Sequence, residues 1–238
     1  MKQTGTIELT MLYDNTACGP GLEPDWGFST LLKFSDRTLL FDTGGDPEVL
    51  VHNLKALKID PTGIDSIFIS HADWDHINGL PVVLRPGQKV YLLQAFPDKL
   101  KREVGSTGAE LVEVSGWQEL WPGVFTTGEM GDKKKEQALA VRTDNGLVII
   151  TGCAHPGIVQ IVRRVKERLK EPIGLVLGGF HLYEMNKAQV KEIIAQLKSL
   201  GVARFAPCHC SGESAIRTFA LELGQDFVEI SAGSRLEV

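Results

Sequence analysis

A chain of 238 residues, 43% of them apolar and 23% charged, is long enough to bury a real core, which excludes intrinsic disorder. The formal charge of −5 supplies no basic footprint for nucleic acid. No stretch approaches the roughly 18 apolar residues of a membrane span. Four cysteines are too few for a disulfide framework, so a soluble cytoplasmic protein with reduced thiols is expected.

Residues 1–10 alternate apolar and polar side chains without the apolar run of a signal peptide, and predict a strand. The short strands bounded by turn residues are 6–12, within that run, then 28–34 and 38–42, with Ser35-Asp36-Arg37 as a hairpin turn. The aperiodic segment 14–27 between the first two is a candidate lid, since long structureless loops in compact domains tend to be functional. A helix is predicted over 47–57, with Asp46 as cap, Pro47 in first position, and Val49, Leu50, Leu54 and Leu57 on one face. Strands at 64–70, 89–93, 110–114, 138–143 and 147–151 follow, the last two joined by an Asp144-Asn145-Gly146 turn. The cationic run Lys133 to Lys135, beside Asp132 and Glu136, reads as a solvated loop. Helices over 156–169 and 187–200, the second stopped by Gly201, alternate with strands at 173–177 and 203–206. The pattern is α/β. No linker or repeat divides it, so residues 1–238 are expected to form a single domain.

The chemistry concentrates in Ser70-His71-Ala72-Asp73-Trp74-Asp75-His76, directly after a buried strand. The strand delivers His71 to its end, and the following turn can aim Asp73, Asp75 and His76 inward before a helix begins near Ile77. Packing these imidazoles and carboxylates together without a cation would cost several kcal/mol in desolvation and repulsion. A divalent metal removes that cost, because it requires deprotonated ligands of this kind. Helix capping would account for one carboxylate and leave both histidines unexplained.

This run resembles the His-x-His-x-Asp-His motif of metallo-β-lactamase-fold proteins. Leu39-Leu40-Phe41-Asp42-Thr43-Gly44 is similar to the family's early strand, whose Asp orients the metal loop without being a ligand. The segments Asn53 through Ile59, Ile149-Ile150-Thr151-Gly152-Cys153-Ala154-His155-Pro156-Gly157, Gly178-Gly179-Phe180-His181-Leu182 and Pro207-Cys208-His209-Cys210 look more narrowly like the dihydropterin-synthase-like branch. The resemblance implies a four-layer αββα sandwich, where periodicity alone supports only α/β layering. It also implies that His155 and His209 complete the metal ligands. Cys153 stands where relatives carry a bridging residue, and is either a ligand or a buried packing thiol. His181 is a contact to substrate or metal, or a hydrogen-bonded structural histidine. One departure is plain: Asp73 replaces the second histidine of the motif, which moves preference somewhat from zinc toward manganese or iron.

Carried over residue by residue, the resemblance gives a dinuclear site. His71, Asp73 and His155 would hold one divalent cation and Asp75, His76 and His209 the other, with Cys153 or a water bridging and Asp75 doubling as proton shuttle. Zinc is the first expectation. Two such ions lower the pKa of a shared water toward about 7. The expected activity is hydrolysis of a small-molecule phosphate ester or phosphodiester. The branch's synthase-type transfer on a pterin phosphate is the alternative within enzymology. A di-iron redox protein or a metal-bearing binding module without turnover are the alternatives outside it. Cys208 and Cys210 alone are weak grounds for a structural zinc. His52 reads as a surface residue, while Trp26, Phe28 and Trp74 either line a pocket or simply pack.

Overall fold

The computed structural model describes residues 5–238. The first four residues of the alternating N-terminal run lie outside the described residues. In chain order, β1 (Glu8–Tyr13), β2 (Ser29–Lys33) and β3 (Thr38–Phe41) precede α1 (Pro47–Ala56) and β4 (Ser66–Phe68). The short helices α2 (Trp74–Ile77) and α3 (Leu80–Val83) lead to β5 (Lys89–Leu93), α4 (Asp98–Ser106) and β6 (Glu110–Val114). Next come β7 (Gln118–Trp121), β8 (Val124–Thr126), β9 (Leu139–Thr143) and β10 (Gly146–Thr151). The chain ends with α5 (Ile158–Leu169), β11 (Ile173–Gly179), α6 (Lys187–Ser199), β12 (Val202–Cys208), α7 (Glu213–Leu223) and β13 (Arg235–Glu237). By its contacts the chain divides into two compact units, one of Thr6–Ser115 with Ser231–Val238, the other built on Gly116–Ile230.

The first unit holds a mixed sheet in the order β13-β1-β2-β3-β4-β5-β6, antiparallel as far as β3 and parallel from β3 to β6. Its core centres on Phe41, stacked on Phe68 at 5.2 Å and met edge-on by Phe28 at 5.9 Å. Burying each such ring contributes about 1.5–3 kcal/mol relative to exposure. Helix α1 starts where expected, with the Asp46 side chain accepting from the Glu48 N–H and Pro47 in the first turn. Buried Asn53 on that helix donates to the carbonyls of Leu12 and Glu23 and accepts from the Glu23 N–H. The Tyr13 hydroxyl donates to Asp25 at 2.5 Å and accepts from the Asp46 N–H; burial first, and the Asp25 bond second, raise its pKa. The candidate lid is thus fastened along its length, with Thr16 and Cys18 also bonded to Ala232.

The second unit holds a mixed sheet in the order β12-β11-β10-β9-β8-β7, antiparallel from β7 to β10 and parallel from β10 to β12. Ile161, Val162 and Val165 of α5, Val190, Ile194 and Leu197 of α6, and Ala215, Phe219 and Leu223 of α7 share one buried cluster with Ile149, Val176 and Phe205 of the sheet. Helix α6 opens on a capping box between Asn186 and Gln189. In β11, Gly178 has φ +117° and a Cβ there would be driven into the Thr151 carbonyl of β10. Gly178→Ala is therefore expected to cost about 2–4 kcal/mol, read as the shift of a urea midpoint. A cost below about 0.5 kcal/mol would show that β10 gives way.

Two mixed sheets with helices bear out the α/β expectation. Several boundaries move, for identifiable reasons. The strand expected over 64–70 narrows to Ser66–Phe68, because the Ser70 N–H goes to the Asp42 carboxylate and leaves the ladder. Helix α2 starts at Trp74, not near Ile77, which places Asp75 and His76 inside its single turn. Glu136, expected in a solvated loop with Lys133 to Lys135, is fully buried while the three lysines are exposed. Helices α4 and α7 and strands β7, β8 and β13 were not anticipated. Among the described residues, no helix is long and apolar enough to cross a membrane.

Candidate functional site

In both sheets the chemistry-bearing residues follow the carboxyl ends of parallel strands, where open α/β sheets present their ligand-binding loops. Asp42 follows β3 and His71 follows β4; Cys153 and His155 follow β10, His181 follows β11 and His209 follows β12. Four non-glycine residues in these loops adopt left-handed backbone: Asp42 (φ 53°), Ala154 (59°), His181 (53°) and His209 (49°). Each costs about 1–2 kcal/mol. Strain of this kind clusters at functional sites.

In the first unit, Asp42 organises everything around it. Its fully buried carboxylate accepts the Ser70 N–H at 2.7 Å and the Ser70 hydroxyl at 2.7 Å, and meets His76 Nδ1 at 2.7 Å. A carboxylate has no proton to give, so the single Ser70 hydroxyl proton points at Asp42. Ser70 Oγ is then left to accept from His71 Nδ1, 2.9 Å away. Both histidines therefore carry their proton on Nδ1 and present a lone pair on Nε2, the arrangement in which an outer hydrogen bond orients a metal-binding imidazole. The rings lie 4.1 Å apart. Asp73 Oδ2 stands 3.4 Å from His71 Nε2, and Asp75 Oδ2 3.7 Å from His76 Nε2. Two imidazole lone pairs facing two carboxylates repel each other unless a cation joins them. The donor set fits a divalent metal.

The loop that carries these donors is held firmly. The Thr43 N–H and hydroxyl both donate to the His76 carbonyl, at 2.8 and 2.9 Å. Asp73 occupies the N-cap position of α2, yet its side chain makes no capping bond, so capping does not account for it. Asp75 accepts the Trp26 indole N–H at 2.9 Å. Trp26 and Trp74 flank Gly45 and are 45% and 55% exposed, whereas Phe28 is core. His52 is exposed on α1, as expected, with Nε2 2.9 Å from the Gly21 carbonyl.

In the second unit, the loop after β10 is organised by a residue that the sequence reading overlooked. Glu136 accepts three successive backbone N–H groups: Cys153 at 2.9 Å, Ala154 at 2.8 Å and His155 at 2.7 Å. No local pattern marks it, since its partners are backbone groups 17 to 19 residues away. His155 lies against His181 with ring centroids 4.4 Å apart, and His181 meets Tyr183 edge-on at 5.2 Å. His209 is buried at the end of β12. Cys210, also buried, directs its thiol at the Cys153 carbonyl at 3.5 Å. Burial alone would raise the Cys210 thiol; hydrogen bonds with the Cys153 and His181 side chains and the nearby His209 overcome it and hold the thiol below its ordinary value. The same thiol raises the His181 imidazole against the effect of burial.

Residues 23–169 match the family model of the metallo-β-lactamase superfamily. The chain is 30% identical to the 7,8-dihydropterin-6-methyl-4-(β-D-ribofuranosyl)-aminobenzene-5′-phosphate synthase of Methanocaldococcus jannaschii, over 88% of this chain and 90% of the relative. Among solved structures it is similar to Tm1679, a metal-dependent hydrolase of the β-lactamase superfamily, with 31% identity, a TM-score of 0.82, and 98% and 99% of the two chains covered. A diphosphatase from the PhnP family shares the fold at a TM-score of 0.64 and 14% identity, over 98% of this chain and 97% of the other.

Proposed function

Because the chain belongs to the metallo-β-lactamase superfamily, we propose that its ligand-type side chains hold two divalent cations and that it is a metal-dependent hydrolase of a small phosphate ester or phosphodiester. The observation that carries this reading is the pair of Nε2 lone pairs, on His71 and His76, set outward by Asp42 and Ser70 beside two carboxylates. The side chains proposed as metal ligands are His71, Asp73, Asp75 and His76 in the first unit, and His155, His209 and, unless a water takes its place, Cys153 in the second. Zinc is the first choice, and the carboxylate-rich set moves preference somewhat toward manganese or iron.

Held by these side chains, divalent cations would supply Lewis acidity to the substrate's phosphoryl oxygen and to water near neutral pH. The protein's own groups do the rest. Asp42 keeps both imidazoles in the ligating tautomer. The Trp26 indole N–H fixes one oxygen of Asp75 and leaves the carboxylate aimed to hold a proton taken from the attacking water. On this reading His181, whose ring lies 4.4 Å from that of His155, would donate a hydrogen bond to a substrate oxygen.

A second reading has a specific observation in its favour: identity to a named synthase over 88% of this chain. In that reading the same side chains support a transfer on a pterin phosphate. The purified protein should hydrolyse at least one member of a panel of phosphodiesters, phosphomonoesters, thioesters and lactams, lose that activity to a chelator, and regain it with zinc or manganese. A metal-loaded protein inert to the whole panel would sink the hydrolase reading and leave the transfer to be assayed.

A further inference from the structure

Three neighbouring parallel strands of the second unit end in the same way. Cys153 lies two residues past Thr151 at the end of β10, His181 two past Gly179 of β11, and Cys210 two past Cys208 of β12. One donor atom from each lies within 4.8 Å of the other two. A tetrahedral site with metal–sulfur and metal–nitrogen bonds near 2.3 and 2.0 Å needs its donors about 3.5–3.8 Å apart, so closing it shortens any donor pair by at most about 1.3 Å. Gly179 leaves the room: a Cβ there would stand 2.6 Å from Cys210 Sγ and 3.2 Å from Cys153 Cα. Both sulfurs are buried and neither is in a disulfide. His181 is held in left-handed backbone, and its Nδ1 is buried without a hydrogen-bond partner among the described residues. Two buried thiols and a strained imidazole with unused hydrogen-bonding capacity exceed what core packing of free cysteine requires.

We propose that Cys153, His181 and Cys210 form a thiolate-rich site for a thiophilic cation of the zinc type, distinct in donor chemistry from the imidazole and carboxylate set on His71, Asp73, Asp75 and His76. Soft thiolates select soft or borderline ions, whereas carboxylates select harder ones, so the chain offers two kinds of cation site. The inference goes beyond the hydrolase reading and does not require it.

The test uses cobalt(II) alone, added without oxygen to the metal-free full chain. Only sulfur ligation gives an intense near-ultraviolet charge-transfer band. The wild type is expected to show it. Cys210→Ser should lose about half the band, and His181→Asn should weaken cobalt affinity at sulfur at least about tenfold. Cys18→Ser, which alters an exposed thiol, should change neither, and His76→Ala should keep the band. A wild type without the band, or a Cys210→Ser band at full intensity, overturns the site. If Cys210→Ser does not fold by circular dichroism, His181→Asn decides on affinity. Hydrolysis of the ester panel is scored separately: an active enzyme without the sulfur band removes this site alone, while a band in an inert protein removes the hydrolase reading alone.

Discussion

His76→Ala should abolish retention of at least one metal ion, and with it turnover, while His52→Ala leaves both unchanged. The contrast follows from what each ring does. His52 sits exposed on α1, and its contacts are Gly21 and Glu23 at the surface. His76 is fully buried, anchored through Nδ1 to Asp42 and turned so that Nε2 faces Asp75. Deleting it removes a donor and also strips a hydrogen bond from a buried carboxylate. Asp42→Asn is the informative companion. It keeps the shape, but its amide N–H₂ must face one of the donors the carboxylate accepted, Ser70 or His76. An imidazole that then flips its tautomer offers an N–H where a lone pair was needed. Loss of an outer-shell partner of this kind costs about 10–100-fold in metal affinity, so Asp42→Asn should fall between wild type and His76→Ala. Elemental analysis after dialysis reads all three. Equal metal in His76→Ala and His52→Ala would contradict the assignment.

Much of this was legible in the sequence, and the rest was hidden for physical reasons. Asp46 and Pro47 announced α1 because capping chemistry is local. The burst of His71, Asp73, Asp75 and His76 after an apolar strand was readable because so much buried polarity has few explanations. Ser70 gave no such signal. A serine at a strand end is unremarkable until the fold puts it between Asp42 and His71 and makes it the relay that sets a tautomer. Strand β13 exposes two of its three residues and takes its place only by pairing with β1, more than 220 positions away, so alternation cannot reveal it. Helix α4 is strongly polar with Val104 as its one buried residue, which left little apolar pattern to find. Helix α7 was more accessible, since Ala215, Phe219 and Leu223 recur at intervals of four.

The left-handed residues tie fold and site together. Asp42, Ala154, His181 and His209 all lie in loops at parallel strand ends, and none is glycine. Glycine would relieve the backbone at each position, but it would remove a functional side chain at three of them. The fold holds the strain with hydrogen bonds from elsewhere: the Asp42 N–H to the Phe68 carbonyl, and the Ala154 N–H to Glu136. Such bonds are what let the site residues keep a costly backbone.

Glu136 should therefore prove the most sensitive position outside the proposed ligands themselves. Glu136→Ala orphans three backbone donors, those of Cys153, Ala154 and His155, the first two in fully buried surroundings. At about 1–3 kcal/mol for each of the two buried groups left unsatisfied, the loss is about 2–6 kcal/mol, a large part of the roughly 5–15 kcal/mol that holds a domain together. Glu136→Gln is milder. Its carbonyl oxygen can still accept from Cys153 and Ala154, while its amide N–H₂ meets the His155 N–H donor to donor, so about 1–3 kcal/mol is expected. The two variants should fall in that order on a urea denaturation curve. Both should also lower metal retention, since the loop that presents Cys153 and His155 loses its template. If both variants unfold within about 0.5 kcal/mol of wild type, the three N–H groups are satisfied by something other than this carboxylate, and Glu136 is not the organiser of the loop.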